Sequence, residues 1–269
     1  MKAPPRPAAE LAALCAVIWL AMVAVPVGLG GIGLSWDALN HHIYLGWVAN
    51  QPRFGHDLFA ASFQSYQYPY LYWPAYQLFI HGFSGVGAGV VLVSLNLILV
   101  PPLWMVARSC IPDATWMGLG LRAAAVVLAF LGQVSLSLID TTANDVLAAA
   151  PLVWSVALAL AAADSATTHR WLSPRWAIAL SGLCAGLSVA FKLSNGPLAL
   201  ALPLLWVRAG SSWRERARAI VSAGLWSIAG FILAYGYWGA LLWKAFGNPV
   251  FPFLHPSFEP LRALTGWHR

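Results

Sequence analysis

Long apolar runs separated by short polar segments dominate the chain. A helix that crosses about 30 Å of hydrocarbon needs about 20 predominantly apolar residues. The pattern therefore predicts an all-α, polytopic bundle of about seven transmembrane helices. The predicted spans are 10–33, 86–107, 117–138, 145–163, 176–192, 196–208 and 219–242.

The polar segments organise the rest of what is expected to be a single membrane domain, residues 1–269. An outer loop at 35–85 is expected to hold juxtamembrane helices, with 68–82 lying on or dipping into the outer surface. The first apolar run is longer than the ~7–15 residues of a signal-peptide core, which indicates an uncleaved span. Residues 244–269 are expected to form an outer tail, where the chain is either truncated or a minimal form.

Composition supports a membrane protein and limits the classes of partner. The chain is 60% hydrophobic and 9% charged, whereas soluble domains have about 25% charged residues. The lipid bilayer is therefore an expected partner. The net charge of +6 does not indicate nucleic acid, because the basic residues lie in short loops between apolar runs. Three cysteines, an odd number, predict no disulfide framework.

The distribution of basic residues predicts the orientation. With the N-terminus in the cytoplasm, the cytoplasmic loops would hold Lys2, Arg6, Arg108, Arg122, Arg170, Arg175, Arg208, Arg214, Arg216 and Arg218. The outer segments would hold Arg53, Lys192, Lys244, Arg262 and Arg269. This excess of cytoplasmic basic residues follows the positive-inside rule.

Two short polar segments interrupt this apolar pattern and contain candidate chemistry. The first island is 35–44, with Asp57 just beyond it, and the second island is 140–145. Charges at a bilayer boundary are costly and are usually retained for function. The predicted orientation places both islands on the outer side, where they can form one polar site.

In the first island, helical spacing places Asp37, Asn40, His41 and Tyr44 on one face. The dipole of the helix favours an ionised Asp37, which suits a general base that takes a proton from a hydroxyl. A purely structural alternative is that Asp37 or Ser35 caps a surface helix. Asp37 and His41 are also two candidate ligands for a divalent metal, which the sequence permits but does not require.

The second island has a strong structural alternative, because Asp and Thr are good N-caps and Asn144 suits a turn. Two carboxylates, Asp140 and Asp145, with no basic residue between them exceed what a turn needs. One of them could orient a substrate or a cation while the other caps a helix.

Three further segments are candidates for binding. Lys192, at an outer span end, either snorkels to the interface or contacts a phosphate. Lys244 begins a segment with two prolines and three phenylalanines that suits a rigid surface loop. The aromatic and polar segment 64–74 suits either a sugar or lipid headgroup, or a chain resting in the interface.

These elements, in this order, resemble the GT-C superfamily of integral-membrane glycosyltransferases, near the bacterial mannosyltransferase and aminoarabinose-transferase type. The first span is followed by an outer Asp37-containing helix and Asp57. The second outer loop holds 140–145, 191–192 lies at an outer span end, and 247–253 follows the last span. The resemblance covers the N-terminal seven-span module, and Ala38 stands where protein mannosyltransferases have a second acidic residue.

The resemblance implies transfer of a sugar, with inversion, from a polyprenyl-phosphate carrier to an envelope acceptor at the outer face of a bacterial inner membrane. Asp37 would be the base, and Asp57 or the pair Asp140 and Asp145 the second acidic group. The substrate-binding residues it implies are His41, His42, Tyr44, Gln64, Tyr66, Lys192, Lys244 and Asn248.

Two other functions compete with this one. A catalytically silent membrane subunit, or a fragment, would bind the lipid carrier or a partner protein. A transporter is less well supported, because transporters usually place ionisable groups near mid-membrane and have repeated halves. Convergence of Asp37 and the second island at one outer cavity would favour the enzyme.

Overall fold

The computed structural model describes residues 6–57, 61–163 and 172–267, and in these ranges the chain is helical without strands. The α-helices are α1 (Pro7–Leu29), α2 (Ile43–Val48), α3 (Trp73–Ile80), α4 (Gly85–Leu95), α5 (Val100–Cys110), α6 (Trp116–Phe130), α7 (Gln133–Leu138), α8 (Asp145–Ala163), α9 (Pro174–Phe191), α10 (Gly196–Ala199), α11 (Pro203–Trp206), α12 (Trp213–Phe246) and α13 (Glu259–Thr265). Short 3-10 segments, and one π-helix at Ala38–His42, complete the described elements.

Five helical stretches are long and apolar enough to cross a membrane, which confirms an all-α, multi-pass membrane protein. They are α1, α4 continuing into α5 (Gly85–Cys110), α8, α9 and α12. These match five of the predicted spans. The predicted surface segment 68–82 and the span 86–107 are also separated in the structure, because α3 ends at Ile80 and the Ser84 side chain caps α4 by accepting from Gly87 N at 3.1 Å.

The other two predicted spans are not single helices. Residues 117–138 divide into α6 and α7, with an extended residue, Gly132, between them. Residues 196–208 form short helical turns, because Pro203, near the middle of this segment, has no amide hydrogen for a continuous ladder.

Two closely packed interfaces join α8, α9 and α12. Helices α8 and α9 are antiparallel, joined by Ser155 and Ser181, whose Oγ atoms are 3.0 Å apart. Helices α9 and α12 run parallel and approach closely at Gly186, where a Cβ would overlap the carbonyl of Ser227. Small residues allow this approach, which favours association of helices in membranes through van der Waals contact.

Contacts at the two ends of the bundle show how far each segment extends. At one end, named here the Glu10 end, Arg122 Nε donates to Glu10 Oε1 at 2.7 Å. At the other, the Asp37 end, Gly33 N donates to Asp140 O at 2.6 Å. The chain from 122 to 140 therefore runs alongside α1 from one end of the bundle to the other. Three residues of the predicted charge pattern, Lys2, Arg170 and Arg269, lie outside the described residues.

Candidate functional site

The two polar islands meet at the Asp37 end of the bundle. His42 Nδ1 lies 2.7 Å from Thr142 Oγ1, and both residues are buried. The ring of Tyr72 stacks on His42 with centroids 4.7 Å apart. This contact brings the segment before α3 to the same point. The set of residues gathered here is named the island cluster: Asp37, His41, His42, Tyr72, Thr142, Asn144, Asp145 and Lys192.

The backbone of the first island leaves the Asp37 side chain available. Ser35 Oγ accepts from Ala38 N at 3.1 Å, so Ser35, not Asp37, caps this helix. A π-helical turn follows, in which the Ile43 N–H donates to Ala38 O. Such turns are rare and often lie at functional sites. The Asp37 side chain is 54% exposed, and its Oδ1 is 3.7 Å from His41 Nδ1.

In the second island, the two carboxylates have different positions. Asp145 is the first residue of α8, and its carboxylate forms an ion pair with Lys192 Nζ, with both side chains partly exposed. The side chain of Asp140 instead faces the backbone of Gly33, and the backbone carbonyl of Asp140 accepts a hydrogen bond from the Gly33 amide. Asp140 therefore joins the chain after α1 to the second island, and Asp145 presents the charge to the site.

A cavity of about 170 Å³ opens beside this ion pair. Its lining combines four segments that the sequence singled out: the aromatic segment before α3, the second island, the end of α9 and the loop after α12. The lining residues are Tyr66, Gln67, Tyr68, Tyr72, Asn144, Ala190, Phe191, Lys192, Leu193, Ser194, Tyr235, Phe251 and Phe253. One part of the wall is therefore charged and hydrogen-bonding, and the other is aromatic and aliphatic.

Four of the predicted site residues form a second group beside the island cluster. They are Tyr44, Asp57, Gln64 and Tyr66. Tyr44 is close to Asp57, whose Oδ2 is 3.7 Å from Arg53 Nε. Burial, with a smaller contribution from the charge of Asp57, raises the pKa of Tyr44 to about 12.

Gln64 and Tyr66 connect this second group to the rest of the site. Gln64 Oε1 accepts from Asn40 Nδ2 at 3.1 Å, which ties the 3-10 turn Ser62–Tyr66 to the first island. Tyr66 is buried, lines the cavity, and packs its ring against Phe251 at 4.9 Å. These two residues therefore hold the loop between α2 and α3 against the cavity wall.

Lys244 and Asn248 have different surroundings from the other candidates. Lys244 is exposed near the end of α12 and does not line the cavity. Asn248 is fully buried, and its amide bonds to Phe253 O at 2.8 Å and to Val250 N at 2.9 Å. Any contribution of Asn248 to binding would therefore act through the loop that presents Phe253 to the cavity.

Burial sets the protonation of the histidine pair. Desolvation, followed by the proximity of His41, lowers the pKa of His42 from 6.5 to about 4. Desolvation also lowers the pKa of His41, opposed by the charge of Asp37. Both imidazoles are therefore neutral at pH 7. Burial likewise raises the pKa of Tyr72, so its hydroxyl remains a hydrogen-bond donor.

Three residues of the cluster were not recognised as site residues from the sequence: Tyr72, Thr142 and Asn144. Tyr72 contacts both histidines and hydrogen-bonds to the Asn144 side chain. The only signal for Tyr72 was its place in an aromatic segment, which interfacial anchoring explains equally well. Among the described residues, no three His, Cys, Asp or Glu side chains are grouped closely enough to hold a metal.

Comparison of the chain with models of protein families, with curated proteins and with solved structures finds no match. Inference about function therefore depends on the geometry of the Asp37 end.

Proposed function

We propose that this protein is a membrane glycosyltransferase of the GT-C type, which transfers a sugar from a polyprenyl-phosphate carrier to an acceptor at the Asp37 end of the bundle. The observation that carries this proposal is the position of Lys192. It lies in the wall of an amphipathic cavity and belongs to the island cluster, where the two polar islands meet. A phosphate attached to a long apolar chain has the same division of polarity as this wall.

The reaction assigns separate roles to the two ends of the cluster. Asp37 takes the proton of an acceptor hydroxyl, whose oxygen attacks the anomeric carbon as the bond from that carbon to the phosphate oxygen breaks. Lys192 stabilises the negative charge of the departing polyprenyl phosphate. Asp145 neutralises the charge of Lys192 before the donor binds, and the phosphate displaces it. The acceptor gains the sugar with inversion, and the carrier leaves as polyprenyl phosphate.

The packing supports a seven-crossing topology for this enzyme. Residues 122–140 run parallel to α1 between the Glu10 and Asp37 ends, so α6 and α7 together form one crossing. Residues 196–208 return from Asn195, which bonds to Ala148 O, to Trp206, which bonds to Ser181 Oγ.

In this topology the bundle ends differ in charge. The Glu10 end holds Arg208 and the basic stretch 214–218, which favours a cytoplasmic location. The Asp37 end then faces the extracytoplasmic side of a bacterial inner membrane.

One observation favours a second function. Lys192 lines the cavity but Asp37 does not, and within the cluster Asp37 Oδ1 lies 3.7 Å from His41 Nδ1. A membrane subunit that binds a lipid carrier without turning it over would need only the cavity and Lys192. In that case a partner subunit would complete the acceptor site.

The first test is a binding and turnover assay of the purified chain with radiolabelled polyprenyl-phosphate sugars, comparing wild type with Asp37→Asn. Loss of turnover with retained donor binding in Asp37→Asn supports the enzyme. Binding without turnover in both proteins supports the carrier-binding subunit. Wild-type turnover in Asp37→Asn overturns the assignment of the base.

A further inference from the structure

His41 holds a buried ring nitrogen whose hydrogen-bonding capacity is unused. Its side chain is 6% exposed, and Nδ1 has no hydrogen-bond partner in the part of the chain that the structure describes. Buried polar groups are nearly always paired, because leaving one unpaired costs free energy, so this exception requires an explanation. Asp37 Oδ1 lies 3.7 Å from this nitrogen, just beyond hydrogen-bond distance.

The imidazole of His41 is fixed by its neighbours, whereas the carboxylate beside it can move. The ring of His41 packs edge to face with His42, with centroids 4.4 Å apart, and with Tyr72, with centroids 6.2 Å apart. Asp37 is 54% exposed, and Ser35 takes the capping role in its place. A change in the side-chain torsions of Asp37 can therefore close the gap to Nδ1 without repacking the buried rings.

The charges around His41 select which ring nitrogen carries the hydrogen. Desolvation lowers the pKa of His41, so the ring is neutral at pH 7 and has one N–H. The tautomer with hydrogen on Nδ1 directs this N–H at the Asp37 carboxylate, whereas the other tautomer directs a lone pair at it. Asp145 and Lys192 also act on the ring, but with opposite signs, since they form an ion pair. The charge of Asp37 therefore favours the Nδ1–H tautomer.

We propose that His41 is a positioning residue, which donates a hydrogen bond from Nδ1 to Asp37 Oδ1 when the acceptor binds and leaves Oδ2 to take the acceptor proton. The inference rests on the proposed function, in which Asp37 is the base. Hydrogen bonds that support catalysis are often long before substrate binds and tighten in the complex. Fixing one carboxylate oxygen orients the other toward the acceptor, which lowers the barrier to proton transfer.

Two substitutions separate this hydrogen bond from packing. The amide nitrogen in His41→Asn lies as many bonds from the backbone as Nδ1 and keeps the donor, whereas His41→Gln moves the amide one bond further and better preserves side-chain volume. Turnover is expected to stay within about threefold of wild type in His41→Asn and to fall roughly 10- to 100-fold in His41→Gln, with donor binding unchanged in both. His81→Asn, at an exposed position, is the control and is expected to match wild type. Packing alone predicts the reverse order, so turnover in His41→Gln that equals or exceeds His41→Asn overturns the proposal, as does loss of donor binding in both.

Nitrogen-15 NMR of the imidazoles, in the full chain reconstituted in lipid at pH 7.5, tests the pair independently of turnover. The His41 signals are those that disappear in His41→Asn. Nδ1 is expected to carry the hydrogen in wild type, and its signal is expected to shift in Asp37→Ala, which removes the carboxylate. A hydrogen on Nε2 in wild type, or an unchanged signal in Asp37→Ala, overturns the inference even if the chain turns over the donor. Absence of turnover in wild type with both NMR features present overturns the proposed function instead and supports the hydrogen bond.

Discussion

His42 Nδ1 lies 2.7 Å from Thr142 Oγ1, although the two residues are 100 positions apart in the chain. This contact joins the segment that follows α1 to the turn that precedes α8. Because Tyr72 stacks on the same imidazole, three separate segments of the chain meet at one buried ring. Burial keeps His42 neutral, so its Nδ1 either donates to or accepts from the Thr142 hydroxyl according to the tautomer.

The buried state of His42 predicts acid sensitivity. Its folded pKa of about 4 lies below the ordinary value of 6.5, so the unfolded chain binds more protons between these two pH values. The contribution of His42 to the free energy of unfolding is therefore fully present above pH 6.5 and is lost as the pH falls toward 4. The loss attributable to His42 is roughly 2–3 kcal/mol at pH 4.5.

Thermal unfolding in detergent at pH 7.5 and pH 4.5 measures this effect. His42→Gln, which keeps a polar side chain but does not titrate, is expected to show a smaller difference between the two pH values than wild type. His81→Gln, at an exposed position, serves as the control. An unchanged pH dependence in His42→Gln would show that His42 is not buried against Thr142.

Lys192 and Lys244 are expected to differ in donor binding. Removing the cavity lysine with Lys192→Ala deletes a charge-assisted bond, which corresponds to roughly 10- to 100-fold weaker binding of polyprenyl phosphate. Lys244→Ala is the matched control, because Lys244 is exposed outside the cavity lining. Equilibrium binding of radiolabelled polyprenyl phosphate distinguishes the two variants, and equal effects would contradict the role of Lys192.

The ion pair between Lys192 and Asp145 predicts that loss of the carboxylate, unlike loss of the lysine, does not weaken binding of polyprenyl phosphate. Asp145→Asn removes the competing carboxylate from Lys192 and is therefore expected to maintain or tighten binding of polyprenyl phosphate. The same binding assay measures it. Weaker binding in Asp145→Asn would indicate that Asp145 positions the lysine more than it competes with the ligand.

The contact between α9 and α12 predicts a sharp difference between two glycines. Gly186→Ala would place a methyl group against the carbonyl of Ser227 and is expected to destabilise the protein by about 2 kcal/mol or more. Gly224→Ala, on the same helix as Ser227 but with open space around it, is expected to be neutral or slightly stabilising. Denaturation in detergent measures both, and equal stabilities would disprove the close approach.

The buried ion pair at the Glu10 end is predicted to be essential for folding. Glu10 and Arg122 are each 4% exposed, and Glu10 also accepts from Trp104 Nε1 at 3.0 Å. Glu10→Gln leaves an uncompensated buried guanidinium and is expected to cost roughly 3–5 kcal/mol. The yield of folded protein and its thermal stability test this, with the exposed Glu259→Gln as control.

Much of the architecture followed from the sequence. Five runs of apolar residues long enough to cross a bilayer are five long helices, because satisfying every backbone group in hydrocarbon leaves the helix as the only local solution. The two remaining spans depended on details that hydropathy does not describe. Pro203 divides one, and an extended Gly132 divides the other.

The sequence also identified the two islands, because charges and histidines are conspicuous against an apolar background. It could not assign their roles. Whether Ser35 or Asp37 caps the first helix depends on backbone geometry, and only the tertiary structure gives that position to Ser35. Tyr72 and Asn144 likewise become site residues only through helices that fold back from distant parts of the chain.

The sequence by itself therefore determined the class of the protein and the composition of its polar segments, since both depend on local transfer free energies between water and lipid. The tertiary structure decided which polar groups meet. It paired Lys192 with Asp145, separated Lys244 from the cavity and placed His42 against Thr142. Such contacts depend on the direction and rotation of each packed helix, which hydropathy alone does not specify.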